Sequence, residues 1–307
     1  MGSYAEVSRY LDYIAAEYGY TIVLKDFVGF LTKEPEMAEA VRGYYIHKNP
    51  YCMFIKSHSE LWDRCQEANR QLCGRCGKDG AFFTGICYCG FSEIVIPVKY
   101  RNRVISAVCA GGFDLSPRIS AHRRRKTAQK YGIDPEAAEK YYNEAVLLPA
   151  VNVEEVVSLL GIAAQFLRLY YGELVESGVI QPHASYREDT SRLYILSHAL
   201  EYIRLNYAND IKVSHIAAFC KCSESYINHL FKKGTGCNIN FHINQVRTDR
   251  AKELISTTDD SFYEISGRCG FSDPNYFSYV FKQVTGLTPS LYKLQCRQKH
   301  KGKAVLP

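Results

Sequence analysis

Cysteine side chains are the residues of this sequence best suited to bind a metal or to react with an oxidant. Twelve of the 307 residues are cysteine, and six of them are the candidates: Cys52, Cys65, Cys73, Cys76, Cys87 and Cys89. Cys73 and Cys76 have the C-x₂-C spacing of a metal knuckle, and the pair Cys87 and Cys89 follows soon after. Two such pairs could supply four thiolates to zinc or to an iron–sulfur cluster.

A second interpretation is that these cysteines are free thiols. The second pair has C-x-C rather than C-x₂-C spacing, and the loop between the pairs is shorter than is usual for zinc sites. Buried or redox-active thiols are therefore the alternative, and the sequence leaves both open. The other cysteines are expected to be small core residues.

A second set of candidate residues lies in a segment that occurs twice. Residues 216–236 and 265–286 share their pattern of Ile, Cys, Ser, Tyr, Phe-Lys and Gly, with one residue inserted in the second copy. Each copy predicts a helix, a short turn and a second helix. Ser223, and Ser272 or Asp273, are placed to cap the second helices, and each of those helices ends at a glycine, Gly236 or Gly286.

The outward faces of the second helices carry hydrogen-bonding side chains, followed by a lysine. In a helix set in the major groove, such groups bind base edges, and lysine binds phosphate. The ordinary alternative is a solvated helix surface, which the duplication makes the weaker interpretation. The predicted DNA-binding residues are Ser225, Asn228, His229, Lys232, Asn275, Ser278, Tyr279 and Lys282.

The positive charge is concentrated on the same part of the chain. The net charge is +6, and residues 187–307 hold 17 Lys and Arg against 11 Asp and Glu. Residues 1–186 hold 21 of each sign. The whole excess therefore lies in residues 187–307, which contain both copies, as is expected of a part that meets phosphate. The basic run 297–303 adds to it and is predicted to be flexible.

The segment from about 192 to 296 resembles the DNA-binding domain of AraC/XylS-type transcription regulators. The resemblance rests on Ile265, Gly270, Phe271, Tyr276, Phe277, Phe281, Lys282, Gly286 and Pro289, with Arg247 and Ala251 between the copies. It implies seven helices, two of them recognition helices that enter successive major grooves. The sequence departs from the family at Lys221 and Cys222, where Gly and an aromatic residue are common, and at Lys293, where Arg is common.

The helix predicted between the two copies has a length that fits this arrangement. It runs from Asn240 to Ser256, about 25 Å at 1.5 Å per residue. With the width of the modules, the recognition helices would lie about 34 Å apart, one turn of DNA. One chain could therefore read two adjacent grooves.

The N-terminal part predicts an α+β domain. The strands are predicted at Tyr20–Phe30, Phe82–Cys87, Glu93–Tyr100 and Val104–Ala110, with a turn at Arg101-Asn102. The helices are predicted at residues 4–18, Pro35–Arg42, His58–Gln71, Asp134–Tyr142 and Val153–Glu176. The apolar stripe of the last helix predicts packing on the sheet, or alternatively a dimer seam or signalling helix.

Residues 5–175 resemble the PocR-type sensory domain, which is a variant of the PAS fold. The resemblance rests on Tyr51-Cys52, Arg64-Cys65, Cys87–Phe91, Ile96–Val98 and Ala110–Gly112. It implies a sensor of small molecules, with short hydrocarbon derivatives such as diols among the ligands. It also offers Cys52, Cys65 and Cys87 as a third grouping of the thiols. Tyr88 stands where the family commonly has His.

The sequence thus predicts a sensory domain at 1–178, a linker at 179–191, a DNA-binding domain with two helix–turn–helix motifs at 192–296 and a basic tail at 297–307. We expect a cytoplasmic, non-enzymatic transcription regulator, an activator by family habit, controlled by a small molecule, a metal or a redox signal. The expected partners are promoter DNA, a small-molecule effector, RNA polymerase and a second copy of the chain, and no membrane. The alternative is a DNA-repair methyl acceptor of the Ada type, which would need four zinc thiolates.

Overall fold

The computed structural model describes residues 4–78, 81–146, 152–182 and 187–303. The chain divides into two compact units, Met1–His198 and Ala199–Pro307. The first unit mixes helices and strands and the second is all-helical, as predicted. The division falls within a helix, Arg187–Asn206, whose first residues overlap the end of the predicted linker. Residues 183–186 of that linker lie outside the described residues.

A four-stranded antiparallel sheet forms the centre of the first unit. The strands are β1 (Thr21–Asp26), β2 (Phe83–Ile86), β3 (Ser92–Tyr100) and β4 (Arg103–Phe113), in the order β1-β4-β3-β2. Thr21 pairs with Gly111 and Phe83 with Val95. The predicted turn between β3 and β4 is confirmed: Arg101 and Asn102 both have positive φ, 45° and 63°, the conformation that a two-residue hairpin requires.

Seven helices belong wholly to the described part of the first unit. They are α1 (Ala5–Tyr18), α2 (Pro35–Val41), α3 (Pro50–Lys56), α4 (Ser59–Lys78), α5 (Pro117–Tyr131), α6 (Pro135–Ala145) and α7 (Val153–Glu176), with a 3₁₀ turn at Arg42–Tyr44. The predicted bounds of α7 are confirmed. Helices α3 and α5 were not predicted, and α4 extends beyond the predicted Gln71.

Both faces of the sheet are covered. Helix α7 packs on β3 and β4, which confirms the predicted packing role of its stripe. Leu72 and Cys76 of α4 form a buried cluster with Val95, Ala107 and Cys109 of the sheet. Side chains alternate between faces along a strand. The central strands can therefore be apolar along their length, as the burial of nearly all of β4 shows.

Strand β1 ends earlier than the predicted Phe30 because Asp26 redirects the backbone. Its carboxylate accepts hydrogen bonds from the N–H groups of Val28, Gly29 and Leu31, at 3.1, 2.6 and 2.9 Å. Gly29 has φ of 79°. An acidic side chain that binds three amides of the following turn competes with the sheet for those donors.

The second unit consists of the end of α8 (Arg187–Asn206) and six further helices. These are α9 (Val213–Phe219), α10 (Glu224–Thr235), α11 (Ile239–Thr257), α12 (Phe262–Arg268), α13 (Pro274–Thr285) and α14 (Pro289–Lys303). The seven helices match the number that the resemblance implied. Helix α14 includes residues 297–303, which were predicted to form a flexible tail; residues 304–307 lie outside the described residues.

The repeated segments form two equivalent helix pairs, α9–α10 and α12–α13. Ser223 Oγ accepts from Tyr226 N at 3.2 Å, and Asp273 Oδ1 accepts from Asn275 N at 2.8 Å, so Asp273 rather than Ser272 is the second cap. Gly236 and Gly286 end the helices in the left-handed conformation. Both α10 and α13 bury the predicted apolar triplets, with Phe231 and Phe281 fully buried.

Gly270, in the turn between α12 and α13, should tolerate alanine worse than Gly286. Both have positive φ, 86° and 77°, so alanine at either position costs about 1 kcal/mol of backbone strain. A Cβ at residue 270 would also lie 2.6 Å from Tyr207 O, whereas nothing lies within 4 Å at residue 286. We expect Gly270→Ala to cost about 2–4 kcal/mol in total, measured by calorimetric unfolding of the full chain. Equal losses for the two variants would contradict this account.

Asp26 should make the stability of the first unit depend on pH. Burial raises the pKa of its carboxyl to about 6, against the lowering effect of the backbone hydrogen bonds. Because the folded-state pKa is the higher one, the contribution of protonated Asp26 is present below about pH 4 and is lost as the pH rises through 6. Between about pH 4 and pH 6 the parent loses this contribution and Asp26→Asn does not. The free energy of unfolding of the variant, relative to that of the parent, should therefore rise by about 3 kcal/mol over this range. Parallel stability curves would contradict the prediction.

Candidate nucleic-acid interface and thiol-lined cavity

Helices α10 and α13 each present a polar face to solvent. Their buried faces are fixed by Ile227, Leu230 and Phe231 in the first pair, and by the equivalent apolar residues in the second. The opposite faces therefore point outward. All eight predicted DNA-binding residues are exposed: Ser225, Asn228, His229, Lys232, Asn275, Ser278, Tyr279 and Lys282. Each face combines amide and hydroxyl groups with a lysine in the last turn, and α10 has a second lysine there, Lys233.

Helix α11 connects the two pairs and fixes their separation. It has 19 residues, two more than predicted, so it is about 28 Å long at 1.5 Å per residue. Arg247 of α11 donates to Tyr207 O at 2.8 Å and to Asn209 O at 3.0 Å. Its guanidinium also lies 5.4 Å from the ring centre of Phe271. This arginine thus ties the connecting helix to the turn of the second pair.

A cavity of about 730 Å³ lies in the first unit, beside helices α3, α4 and α5 and strands β2 and β3. Four of the six candidate cysteines line it: Cys52, Cys65, Cys87 and Cys89. Six basic side chains also line it: Lys56, Arg64, Arg75, Arg123, Lys126 and Lys130. Glu67 and Glu93 are the carboxylates among the lining residues. The wall is therefore basic and rich in thiols.

The turn Cys87–Gly90, which we call the thiol turn, is bound on several sides. Thr127 Oγ1 donates to Tyr88 O at 3.0 Å, and Tyr51 Oη donates to Cys89 O at 2.8 Å. The hydroxyl of Tyr88 reaches Leu61 O at 2.9 Å, a role for the tyrosine that replaces the common histidine. Helices α3, α4 and α5 therefore all hold this turn.

Three sulfur atoms meet at the thiol turn. Cys87 Sγ lies 3.1 Å from Cys89 Sγ, and the Cys89 thiol donates a hydrogen bond to Cys52 Sγ. Asn49 Nδ2 donates to Cys52 Sγ at 3.3 Å. These thiols belong to an apolar cluster that includes Tyr51, Phe91 and Tyr142.

The contact between Cys52 and Cys89 shifts the pKa values of their thiols in opposite directions. The hydrogen bond from Cys89, assisted by the charges of His47 and Lys56 and by Asn49, lowers the pKa of Cys52 in spite of its burial. The same bond, together with Cys87 and burial, raises the pKa of Cys89. The shared contact thus drives the pKa values of the two thiols apart.

The cavity also holds an acid–base pair. His47 Nε2 lies 3.4 Å from Glu93 Oε1. Burial opposes ionisation of Glu93, but the hydrogen bond and charge of His47, together with the charge of Lys25, outweigh it and hold the pKa of Glu93 below its ordinary value. Glu93 is therefore the carboxylate of the cavity wall that has an imidazole as its neighbour.

The four-thiolate site does not fit the geometry. Cys73 and Cys76 lie within α4 rather than in a knuckle loop, and Cys76 is buried against Val23 and Cys109. They are separated from Cys87 and Cys89, which lie in the other cluster. Among the described residues, no group of three or more His, Cys, Asp or Glu side chains could hold a metal ion. The described residues therefore do not fit a site in which Cys73, Cys76, Cys87 and Cys89 together hold zinc or an iron–sulfur cluster.

Sequence reasoning missed several cavity residues because they lie far apart along the chain. His47, Glu93, Arg123, Lys126 and Lys130 come from a loop, a strand and a helix that was not predicted. A signal for that helix was present, since Pro117 stands at its first turn and Gly132 at its end. Only the fold could show that these side chains share one wall.

Comparison with known proteins gives two family matches. Residues 5–169 match the sensory domain found in PocR, and residues 216–295 match a helix-turn-helix domain. Regulatory protein PocR of Salmonella typhimurium is 24% identical over 258 residues, which cover 81% of this chain and 83% of that protein. The HTH-type transcriptional activator RhaR of Salmonella dublin is 34% identical over 139 residues. That match covers 43% of this chain and about half of RhaR, 47%.

A solved structure resembles the second unit. It is the C-terminal domain of AraT, a response regulator from Geobacillus stearothermophilus, with 27% identity and a TM-score of 0.32, covering 33% of this chain and 84% of that chain.

These findings show that the protein is a DNA-binding transcriptional regulator. Its C-terminal unit is all-helical and of the AraC type. Because the sensory-domain match spans more than half of the residues, the chain belongs to the family of the sensory domain found in PocR. A bilayer-spanning helix needs about 20 apolar residues, and none of the helices in the described ranges meets that requirement.

Proposed function

We propose that the protein is a transcription activator in which both helix pairs act as helix–turn–helix motifs that bind promoter DNA. The observation that carries this proposal is the equivalence of α10 and α13: each has a capped start, a buried apolar triplet and an exposed polar face with a terminal lysine. Two such helices on a 19-residue connector suit adjacent major grooves. The activator role is supported by the name of the RhaR relative, which is a transcriptional activator; contact with RNA polymerase is part of this proposal.

We propose further that the first unit binds a small organic effector in its cavity. Six Lys and Arg against two Glu line that cavity, and His47 Nε2 lies 3.4 Å from Glu93 Oε1. Cationic walls of this kind favour a ligand with an anionic or strongly polar group. The apolar cluster beneath the thiols, with Phe91 and Ile55, suits a short hydrocarbon portion. Binding would alter the affinity of the second unit for DNA.

The interface residues should separate into base-reading and phosphate-binding groups. We expect Asn228→Ala and Asn275→Ala each to lower affinity for the specific promoter by about tenfold or more, because an amide paired with a base contributes about 1–3 kcal/mol of discrimination. Affinity for unrelated DNA should change little. Lys232→Ala should weaken binding to all sequences and reduce the slope of log K against log salt by about one.

Fluorescence anisotropy with the DNA upstream of the gene and of its neighbours measures both effects. Lys140→Ala, an exposed lysine on α6 of the other unit, is the matched control and should leave the slope unchanged. The absence of salt-dependent binding to every duplex tested would refute the proposed function. A Lys232→Ala slope equal to that of the parent would refute the role of α10.

We also propose that two copies associate through α7. Leu159, Ile162, Phe166 and Leu169 follow the 3-4-3 spacing of a helix–helix seam, on the side of α7 away from its buried face. Ile162 and Leu169 are each 60% exposed, which is unusual for large aliphatic side chains at such regular spacing. The stripe is thus distinct from the residues that pack on the sheet.

Charge placed on this stripe should disrupt the dimer. We expect Ile162→Glu combined with Leu169→Glu to weaken self-association at least tenfold, because like charges would meet at the seam. Light scattering after size-exclusion chromatography, over a range of concentrations, measures this. Arg168→Glu is the control, since Arg168 is exposed on the same helix but about a third of a turn from the stripe. A parent chain that is monomeric at all concentrations would overturn the idea.

A further inference from the structure

The group of Cys52, Cys87 and Cys89 is the most unusual chemical feature of the first unit outside the nucleic-acid interface. Cys87 Sγ and Cys89 Sγ are 3.1 Å apart, closer than two sulfur atoms in van der Waals contact. Cys52 shares a hydrogen bond with Cys89. All three border the cavity, so a small solute in the cavity would meet them.

The surroundings of Cys52 favour its thiolate. Asn49 Nδ2 donates to Sγ at 3.3 Å, and the thiol of Cys89 donates a second bond. His47 and Lys56 supply positive charge nearby. A thiolate is the form of cysteine that attacks electrophiles. The pKa of Cys89 is raised by the same contact, so the two thiols are not equivalent.

We propose that these three cysteines form a peroxide-reactive thiol site in which Cys52 is the attacking residue and Cys89 the resolving residue. The thiolate of Cys52 attacks one oxygen of a hydroperoxide, the O–O bond breaks, and the leaving oxygen departs as water or an alcohol after gaining a proton. Cys52 becomes a sulfenic acid. Cys89 Sγ then attacks the sulfur of Cys52, loses its proton and expels hydroxide, which together form water. A Cys52–Cys89 disulfide remains, and the peroxide has been reduced by two electrons.

The position of Cys87 suggests how the disulfide would be reopened. It is less buried than the other two thiols, and it lies against the sulfur of Cys89. Cys87 could therefore attack the disulfide at Cys89 and release Cys52. An external thiol reductant would approach the disulfide from the same side. Cys52 would thus react with the peroxide, whereas Cys87 would be the thiol that a reductant reaches.

Cysteines elsewhere in the first unit lack this arrangement. Cys76 and Cys109 are fully buried among Val23, Val95 and Ala107, and burial raises the pKa of Cys109. Cys73 is partly exposed on α4 and does not line the cavity. It serves as a matched control for non-specific oxidation.

Oxidation would disturb the contacts that hold the thiol turn within the first unit. The turn is held by α3, α4 and α5 through Tyr51, Tyr88 and Thr127, so a new covalent bond from α3 to the turn would shift these contacts. The effect on DNA binding rests on the proposed function, whereas the thiol chemistry does not. The two can therefore fail separately.

The test begins with the reduced full-length protein treated with hydrogen peroxide and then with an alkylating agent, followed by intact and peptide mass spectrometry. We expect a loss of two hydrogens and a Cys52–Cys89 crosslink, reversed by dithiothreitol. Cys52→Ser should abolish the crosslink. Cys89→Ser should leave a sulfenic acid on Cys52 that dimedone captures, and Cys73→Ser should behave as the parent.

Two results would overturn the thiol site: no modification of Cys52 at peroxide concentrations that oxidise Cys73, or a disulfide that excludes Cys52. DNA binding is then measured on the same samples. We expect oxidation to change the affinity of the parent at least fivefold, the lower end of typical coupling between sites, and that of Cys52→Ser not at all. An unchanged affinity in the crosslinked parent would refute the regulatory role. Failure of the reduced protein to bind any DNA would instead refute the proposed function.

Discussion

The first unit depends on the close approach of α5 to the thiol turn. Gly90 has φ of 102°, and a Cβ there would lie 2.8 Å from Arg124 Cγ and 3.0 Å from Ser120 O. Only glycine permits this contact. Arg124 is held in place in turn by Glu139, at 2.8 and 3.0 Å, and its guanidinium lies 3.6 Å from the ring centre of Tyr142. A buried cation with two fixed partners thus sets the position of the sulfur atoms beside it.

The fold of the second unit is specified in a different way, by repetition of a simple module. Each helix pair needs only an apolar triplet, a side-chain cap and a left-handed glycine at the end, and both copies have all three. The polar faces are therefore oriented by packing and are free to vary in sequence. Shared packing with different exposed residues lets two similar helices read different bases.

Much of this architecture was predictable from the sequence, and each exception has its own physical cause. Helix α7 was predicted from its stripe because its buried face is apolar. Helix α5 was missed because its buried face carries Ser120, Arg124 and Thr127, whose burial depends on partners elsewhere. Helix α3 was missed because it is buried almost all round and so has no stripe.

The metal knuckle was predicted from spacing alone, but Cys73 and Cys76 lie in a continuous helix. The exposure of the eight predicted DNA-binding residues could be predicted because it follows from the same periodicity that buries their neighbours.

The environment of the thiols distinguishes a reactive site from a buried cluster of small hydrophobic residues. A core cysteine needs only an apolar surrounding, as Cys109 has. Cys52 instead has a hydrogen-bond donor from Asn49, and its neighbour Cys89 is shifted in pKa in the opposite direction. Neighbouring groups whose pKa values are driven apart take opposite chemical roles. Attack on a peroxide requires a thiolate, and resolution requires a second sulfur within reach that has not already reacted. In the proposed mechanism Cys52 of α3 and Cys89 of the thiol turn take these two roles at the wall of the cavity, so chemical and ligand signals would act in the same space.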